Sequence, residues 1–117
     1  MNKRAYGAEY EKRAGIYLES IGYRILSRNF RSMRSEIDIV AMDHDTLVFA
    51  EVKARSSRRA GFGSEAVDIR KQKRISWAAA AYLTRYKVPQ GTNVRFDVVS
   101  IDSDVITVLR NAFPFTV

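Results

Sequence analysis

The sequence predicts one α/β domain, a mixed central β-sheet flanked by α-helices. Three observations lead there. The 117 residues suffice for one core and not for two. Apolar residues recur at helical spacing in two stretches, one near the start and one past the middle. Five runs rich in Ile, Val and Phe, separated by polar or glycine-containing turns, read as strands. The order is helix, three strands, helix, two strands, and helices laid over a mixed sheet bury both kinds of apolar face. Residues 1–117 therefore read as a single domain.

Residues 6–20 are expected to be helical because Tyr10, Ala14, Tyr17, Leu18 and Ile21 fall on one stripe, and Gly22 follows as the terminating glycine. Residues 23–30 read as a strand. Residues 35–54 form a hairpin turned at Asp43-His44-Asp45-Thr46. Residues 56–64, small and basic, form a loop. A second helix runs from residue 68 or 69 to 86, with Asp68 as N-cap and Ile75, Ala78, Ala79, Tyr82 and Tyr86 as its buried stripe. Trp77 falls off that stripe. Pro89-Gln90-Gly91 breaks the chain, and residues 94–101 and 105–109 close the sheet around Asp102-Ser103-Asp104.

Composition removes several classes of chemistry. There is no cysteine, and His44 is the only histidine. Disulfides, thiolate metal sites, His-paired nucleophiles and multi-histidine nucleases are thereby excluded. No apolar run approaches the roughly 20 residues of a membrane span, and Met1-Asn2-Lys3-Arg4 leads into no apolar signal core. A cytoplasmic protein with no membrane partner is the expectation. The net charge of +7 points to a polyanionic partner. Its distribution strengthens this: residues 53–74 hold eight basic side chains against two acids, Glu65 and Asp68. Arg24, Arg28, Arg31 and Arg34 form a second basic group around the first strand.

The hairpin carries the strongest chemical signal. A symmetric turn puts Asp38 opposite Glu51 and Glu36 opposite Lys53, with all four on one face. Like charges directly opposite each other are destabilising unless a cation lies between them. Two carboxylates beside a lysine form a hard-metal site suited to phosphodiester chemistry. The plain alternative is a surface hairpin with a diagonal ion pair, worth about 0–1 kcal/mol. Leu47 and Phe49 share the acidic face, however, so burial is expected there, and buried charge needs a partner or a metal. Glu11 borders the first helix's apolar stripe and could reach the sheet as a third carboxylate, whereas Glu9 lies opposite. Lys71 and Gln72 sit at the edges of the second helix's buried stripe, where a docked phosphate would offset basic residues in the first turns. His44 reads as a turn residue, and Asp97 as the partner of a nearby cation.

These positions together resemble the YraN-like family of bacterial proteins, described as predicted endonucleases distantly related to archaeal Holliday junction resolvases. The resemblance runs through Gly7, Glu11, Ala14 and Leu18, then Glu36-Ile37-Asp38-Ile39, then Val48-Phe49-Ala50-Glu51-Val52-Lys53. It continues through Lys71-Gln72, Arg95-Phe96-Asp97-Val98-Val99 and Asn111-Ala112-Phe113. It implies a restriction-endonuclease-like fold whose signature, an acid, then Asp, then Glu-x-Lys, falls on Glu11, Asp38, Glu51 and Lys53. One departure is visible: Ser35 stands where the family usually has glycine.

The expected function is Mg²⁺- or Mn²⁺-dependent hydrolysis of DNA, branched or junction DNA included. Glu11, Asp38 and Glu51 would hold metal with the Val52 carbonyl, and Lys53 would orient water or stabilise the phosphate. Arg55, Arg58, Arg59, Lys71 and Gln72 would contact nucleic acid. The alternatives are a non-catalytic nucleic-acid-binding module and a scaffold acting through an apolar patch around Trp77. Cutting a two-fold symmetric junction calls for a homodimer. Trp77 and the tail Ala112-Phe113-Pro114-Phe115 are its candidate surfaces, with a lid over the monomer's own core as the other reading of that tail.

Overall fold

The computed structural model describes residues 3–55 and 67–116. Its order matches the expectation: α1 (Lys3–Ser20), β1 (Arg24–Ser32), β2 (Ser35–Asp43), β3 (Thr46–Arg55), α2 (Ile69–Arg85), β4 (Asn93–Asp102) and β5 (Val105–Leu109). The five strands form one sheet in sequence order, with β1, β2 and β3 antiparallel, β3 and β4 parallel, and β4 and β5 antiparallel. The parallel join requires a crossover, and α2 lies on it. This is an α/β fold compatible with the restriction-endonuclease-like architecture. The predicted loop at 56–64, with Arg58 and Arg59, lies outside the described residues.

Alternation along the strands builds a core on each face. Ile39, Ala41, Val48, Ala50, Val99 and Ile101 pack with Ala14 and Leu18 of α1. Val40, Leu47, Phe49, Phe96 and Val98 pack with Ile75, Ala78, Ala79 and Tyr82 of α2. Tyr82 anchors that second face, its ring edge-on to Phe30 at 5.1 Å and to Phe49 at 5.6 Å. Asp68 caps α2 as predicted, its carboxylate accepting from Lys71 N at 2.9 Å.

Three details depart from the sequence reading, and a fourth selects between alternatives it left open. Ile21 lies beyond the end of α1 and is exposed, because the chain turns away through Gly22 at φ +101°. Tyr86, assigned to the buried stripe, is the C-cap of α2 and stands 53% exposed against the Tyr82 ring. β1 extends to Ser32 and carries a bulge between Ile25 and Ser27, which leaves Leu26 exposed. The tail packs as a lid over the chain's own core, the second of the two readings left open for it. Phe113 is buried, stacked 4.9 Å from Phe96, and Thr116 N donates to Ser76 Oγ on α2 at 2.9 Å. Ser35 in place of glycine causes no distortion: it pairs with Ser32 across the turn, and the left-handed residue there is Met33.

Candidate functional site

The β2–β3 hairpin pairs in the predicted register from Asp43 opposite Thr46 to Ile39 opposite Ala50. There the ladder ends. Val52 N, which a continuing strand would bond, instead donates to Asp38 Oδ2 at 2.8 Å. Alternation also fails across Asp38, since Ile39 packs with the α1 core and Ile37 with the α2 core. β3 itself stays straight, because it pairs with β4 over its whole length, Thr46 to Arg55. The result is an opening between two strands, with Asp38 on one lip and Glu51 on the other.

Glu51 shares the face of Leu47 and Phe49, as alternation requires, and is only 7% exposed. Lys71, in the first turn of α2, reaches inward and places Nζ 3.2 Å from Glu51 Oε1. A cavity of about 210 Å³ lies here, bounded by Ser35, Glu36, Asp38, Glu51, Lys71 and Ile75, with exposed Arg34 and Arg74 at its margin. Burial, and then the neighbouring Asp38 carboxyl, push Glu51 up to about 8 in spite of Lys71. Burial, the largest influence on the Lys71 ammonium, would lower it, but the charge of Glu51, the hydrogen bonds with Lys53 and Glu51 and the charge of Asp38 together turn the net shift upward. Lys53, half-buried, is shifted down by burial and then by the adjacent Lys71.

Glu11 approaches Asp38 from the other face. Its carboxyl is raised by burial and then by the charges of Asp38 and Glu36. With its amide turned to donate, Asn29 bridges Glu11 Oε1 at 2.8 Å and Glu36 Oε1 at 3.1 Å. Glu36 is directed to this group and to Arg31, 3.8 Å away, so its expected pairing with Lys53 is not made. Among the described residues, no three His, Cys, Asp or Glu side chains converge tightly enough to enclose a metal by themselves. The Asp38 and Glu51 carboxyls are close enough to share a hydrogen bond. Arg55 ends β3, and Gln72 donates to the Val67 carbonyl at 3.0 Å, which holds the entry to α2.

Sequence reasoning missed two participants. Asn29 adopts φ 53°, a conformation that asparagine tolerates and a β-strand does not normally contain. An asparagine inside a predicted strand was the available signal. Gly15 was the other: a Cβ there would collide with the Arg28 guanidinium, which lies along α1 and donates to the Glu11 carbonyl at 3.4 Å. The glycine leaves room for that guanidinium against the helix that carries Glu11.

At the other end of the sheet lies a second charged cluster. Asp97 is fully buried and accepts from Tyr23 Oη at 2.7 Å, Arg95 Nε at 2.8 Å and Asn111 N at 3.0 Å. Arg95 also reaches Asp43 at 2.8 Å. This bears out Asp97 as the partner of a cation. His44 sits beside Asp43 at the exposed turn, in the left-handed conformation expected of a turn residue.

Comparison with known proteins places this chain in a family. The chain is 45% identical over 113 residues to a UPF0102 protein of Lachnoclostridium phytofermentans, covering 97% of this chain and 96% of the relative. A UPF0102 protein of Persephonella marina is 43% identical, covering 92% and 91%. One from Chlorobium phaeobacteroides is 50% identical over 95 residues, covering 81% and 75%. The model of the uncharacterised protein family UPF0102 matches residues 10–101, a span that includes Glu11, Asp38, Glu51, Lys53 and Lys71, and the chain belongs to that family.

Proposed function

We propose that this protein is a divalent-metal-dependent nuclease that hydrolyses DNA phosphodiester bonds, with branched or junction DNA the substrate form suggested by its resemblance. One observation carries the reading: Glu51 is buried against a second carboxyl, with Lys53 and Lys71 beside it, at an open cleft. Such an arrangement costs folding energy, and metal-dependent phosphoryl transfer gives it a use.

The donor set fits Mg²⁺ or Mn²⁺. Mg²⁺ is usually held by one or two carboxylates, with water and substrate phosphate completing its shell. Asp38 and Glu51 supply the carboxylates and the Val52 carbonyl a third oxygen, while Glu11 stands behind Asp38. When bound, the metal would activate a water and neutralise charge on the attacked phosphate. Lys71, 3.2 Å from Glu51 at the same cleft, would hold a phosphate oxygen. Lys53, held below the ordinary lysine range, donates to the water or to the developing charge. Arg34 and Arg74 at the cleft margin bind flanking phosphates, and Arg55, Arg58 and Arg59, which follow Lys53 in the sequence, add further contacts to nucleic acid.

Glu51→Ala and Lys53→Ala should each lower Mg²⁺-dependent nicking by about 10²–10⁴-fold while leaving DNA affinity largely intact. Glu51→Ala should also abolish any rise in melting temperature on adding Mg²⁺. Nicking that survives in both variants would sink the reading. A second reading, a non-catalytic nucleic-acid-binding module, is favoured by the Lys71–Glu51 pair, which balances the buried charge without a metal. DNA binding with no cleavage of branched, single-stranded or duplex substrates would decide for it.

A further inference from the structure

The two edges of the sheet are built in opposite ways. On β1, Arg24, Arg28 and Arg31 are exposed, a bulge interrupts the register, and Asn29 sits at positive φ. Charges and bulges of this kind keep an edge from pairing with another chain. β5, Val105-Ile106-Thr107-Val108-Leu109, has none of these devices: no charge, no proline, and a regular register against β4. Its β-branched residues favour pairing. Val105 is 63% exposed and Leu109 43%, and Ile16 of α1 stands 56% exposed across a shallow recess from Ile106.

From this contrast we infer that β5 pairs antiparallel with β5 of a second copy of this chain, joining two five-stranded sheets into one of ten strands. The geometry is self-complementary. Asp102 and Val105 close a two-residue turn, so Val105, Thr107 and Leu109 bond to β4, while Ile106 and Val108 turn N–H and C=O outward. A two-fold axis at Thr107 sets Ile106 against Val108 of the second copy and forms roughly four main-chain hydrogen bonds. On one face, Val105 then covers Leu109 of the second copy. Just outside the strand, Asp104 faces Arg110 of the second copy, whose side chain is 54% exposed. Opposite charges paired this way add stability, where like charges would oppose it. The two β3 strands would lie five strand spacings apart, about 24 Å, which places two clefts on one body. Neither Trp77 nor the tail is needed, and the inference stands whether or not the cleft is catalytic.

The chain has no cysteine, which gives a clean test. Thr107 is exposed and meets its own symmetry copy in a non-hydrogen-bonded pair. The Cα separation of such a pair, about 4.5 Å, lies within disulfide range. Thr107→Cys should form a covalent dimer under mild oxidation, while Arg31→Cys on the β1 edge stays monomeric in the same conditions. Thr107→Lys opposes two ammonium groups across the axis and should weaken the dimer about tenfold or more in sedimentation equilibrium, with far-UV dichroism unchanged. Wild-type protein that sediments as a monomer throughout the micromolar range would overturn the inference. So would equal cross-linking of the two cysteine variants, or a dimer indifferent to Thr107→Lys.

Discussion

Glu51 and Asp97 are both buried acids on adjacent, parallel strands, yet they live in opposite environments. Asp97 is enclosed by a hydroxyl, a guanidinium and a main-chain N–H, and its cluster ties β1, the β2–β3 turn and the start of the tail to β4. Glu51 has one ammonium, faces another carboxyl, and opens onto a cleft. The first arrangement satisfies the charge and fixes the fold. The second leaves it poorly satisfied where a ligand can reach it. Burial alone therefore does not mark a functional acid. What separates the two is how completely the protein itself answers the charge.

The largest expected effect tests the satisfied half of the comparison. Asp97→Ala leaves Arg95 and Tyr23 without their central acceptor and should lower unfolding free energy by about 3–5 kcal/mol in urea titration. A loss under 1 kcal/mol would mean that the cluster is ornamental. Next comes the strained half. Because the Glu51 carboxyl is raised to about 8 in the folded protein from 4.5, folding favours its protonated form. That contribution is complete below pH 4.5 and is lost as pH rises toward 8, at up to about 1.4 kcal/mol per pH unit. Glu51→Gln should flatten this decline in a stability-versus-pH series, while Asp97→Asn should leave the decline in place. The smallest effect concerns the helix that delivers Lys71. Asp68→Ala removes its N-cap and should cost about 1 kcal/mol in thermal or chemical denaturation, a loss that Asp68→Ser should largely restore.

The elements were legible because each had local punctuation: Gly22 after α1, Asp68 before α2, and a two-residue turn that fixes the hairpin register. That register, continued one step further, would pair Asp38 with Glu51; the ladder ends at Ile39 and Ala50 instead, and the two carboxyls meet across the opening. What could not be read was where the ladder stops. Asp38 substitutes its carboxylate for a main-chain acceptor, and alternation carries no sign of that choice, so the pairing of Glu36 with Lys53 was expected and Arg31 won it. The inward turn of Lys71 depends on where α2 crosses the sheet, which periodicity places only as a stripe edge. Phe113 was equally ambiguous as apolar tail or lid, until the Phe96 ring beneath it settled the matter.

The single parallel join has a consequence for the order in which the molecule assembles. β1, β2 and β3 form a meander of near neighbours, and β4 and β5 form a hairpin, so each half can organise through short loops. The seam between β3 and β4 is different: Thr46 meets Asn93 only after the intervening chain has closed a long loop. Glu51 lies on that seam, and Lys71 rides on the segment that closes it. Lys71 and Ile75 of that segment wall the Glu51 cavity, so its burial depends on the same closure. The raised Glu51 carboxyl is therefore tied to the longest loop closure in the sheet, and its titration reports that closure.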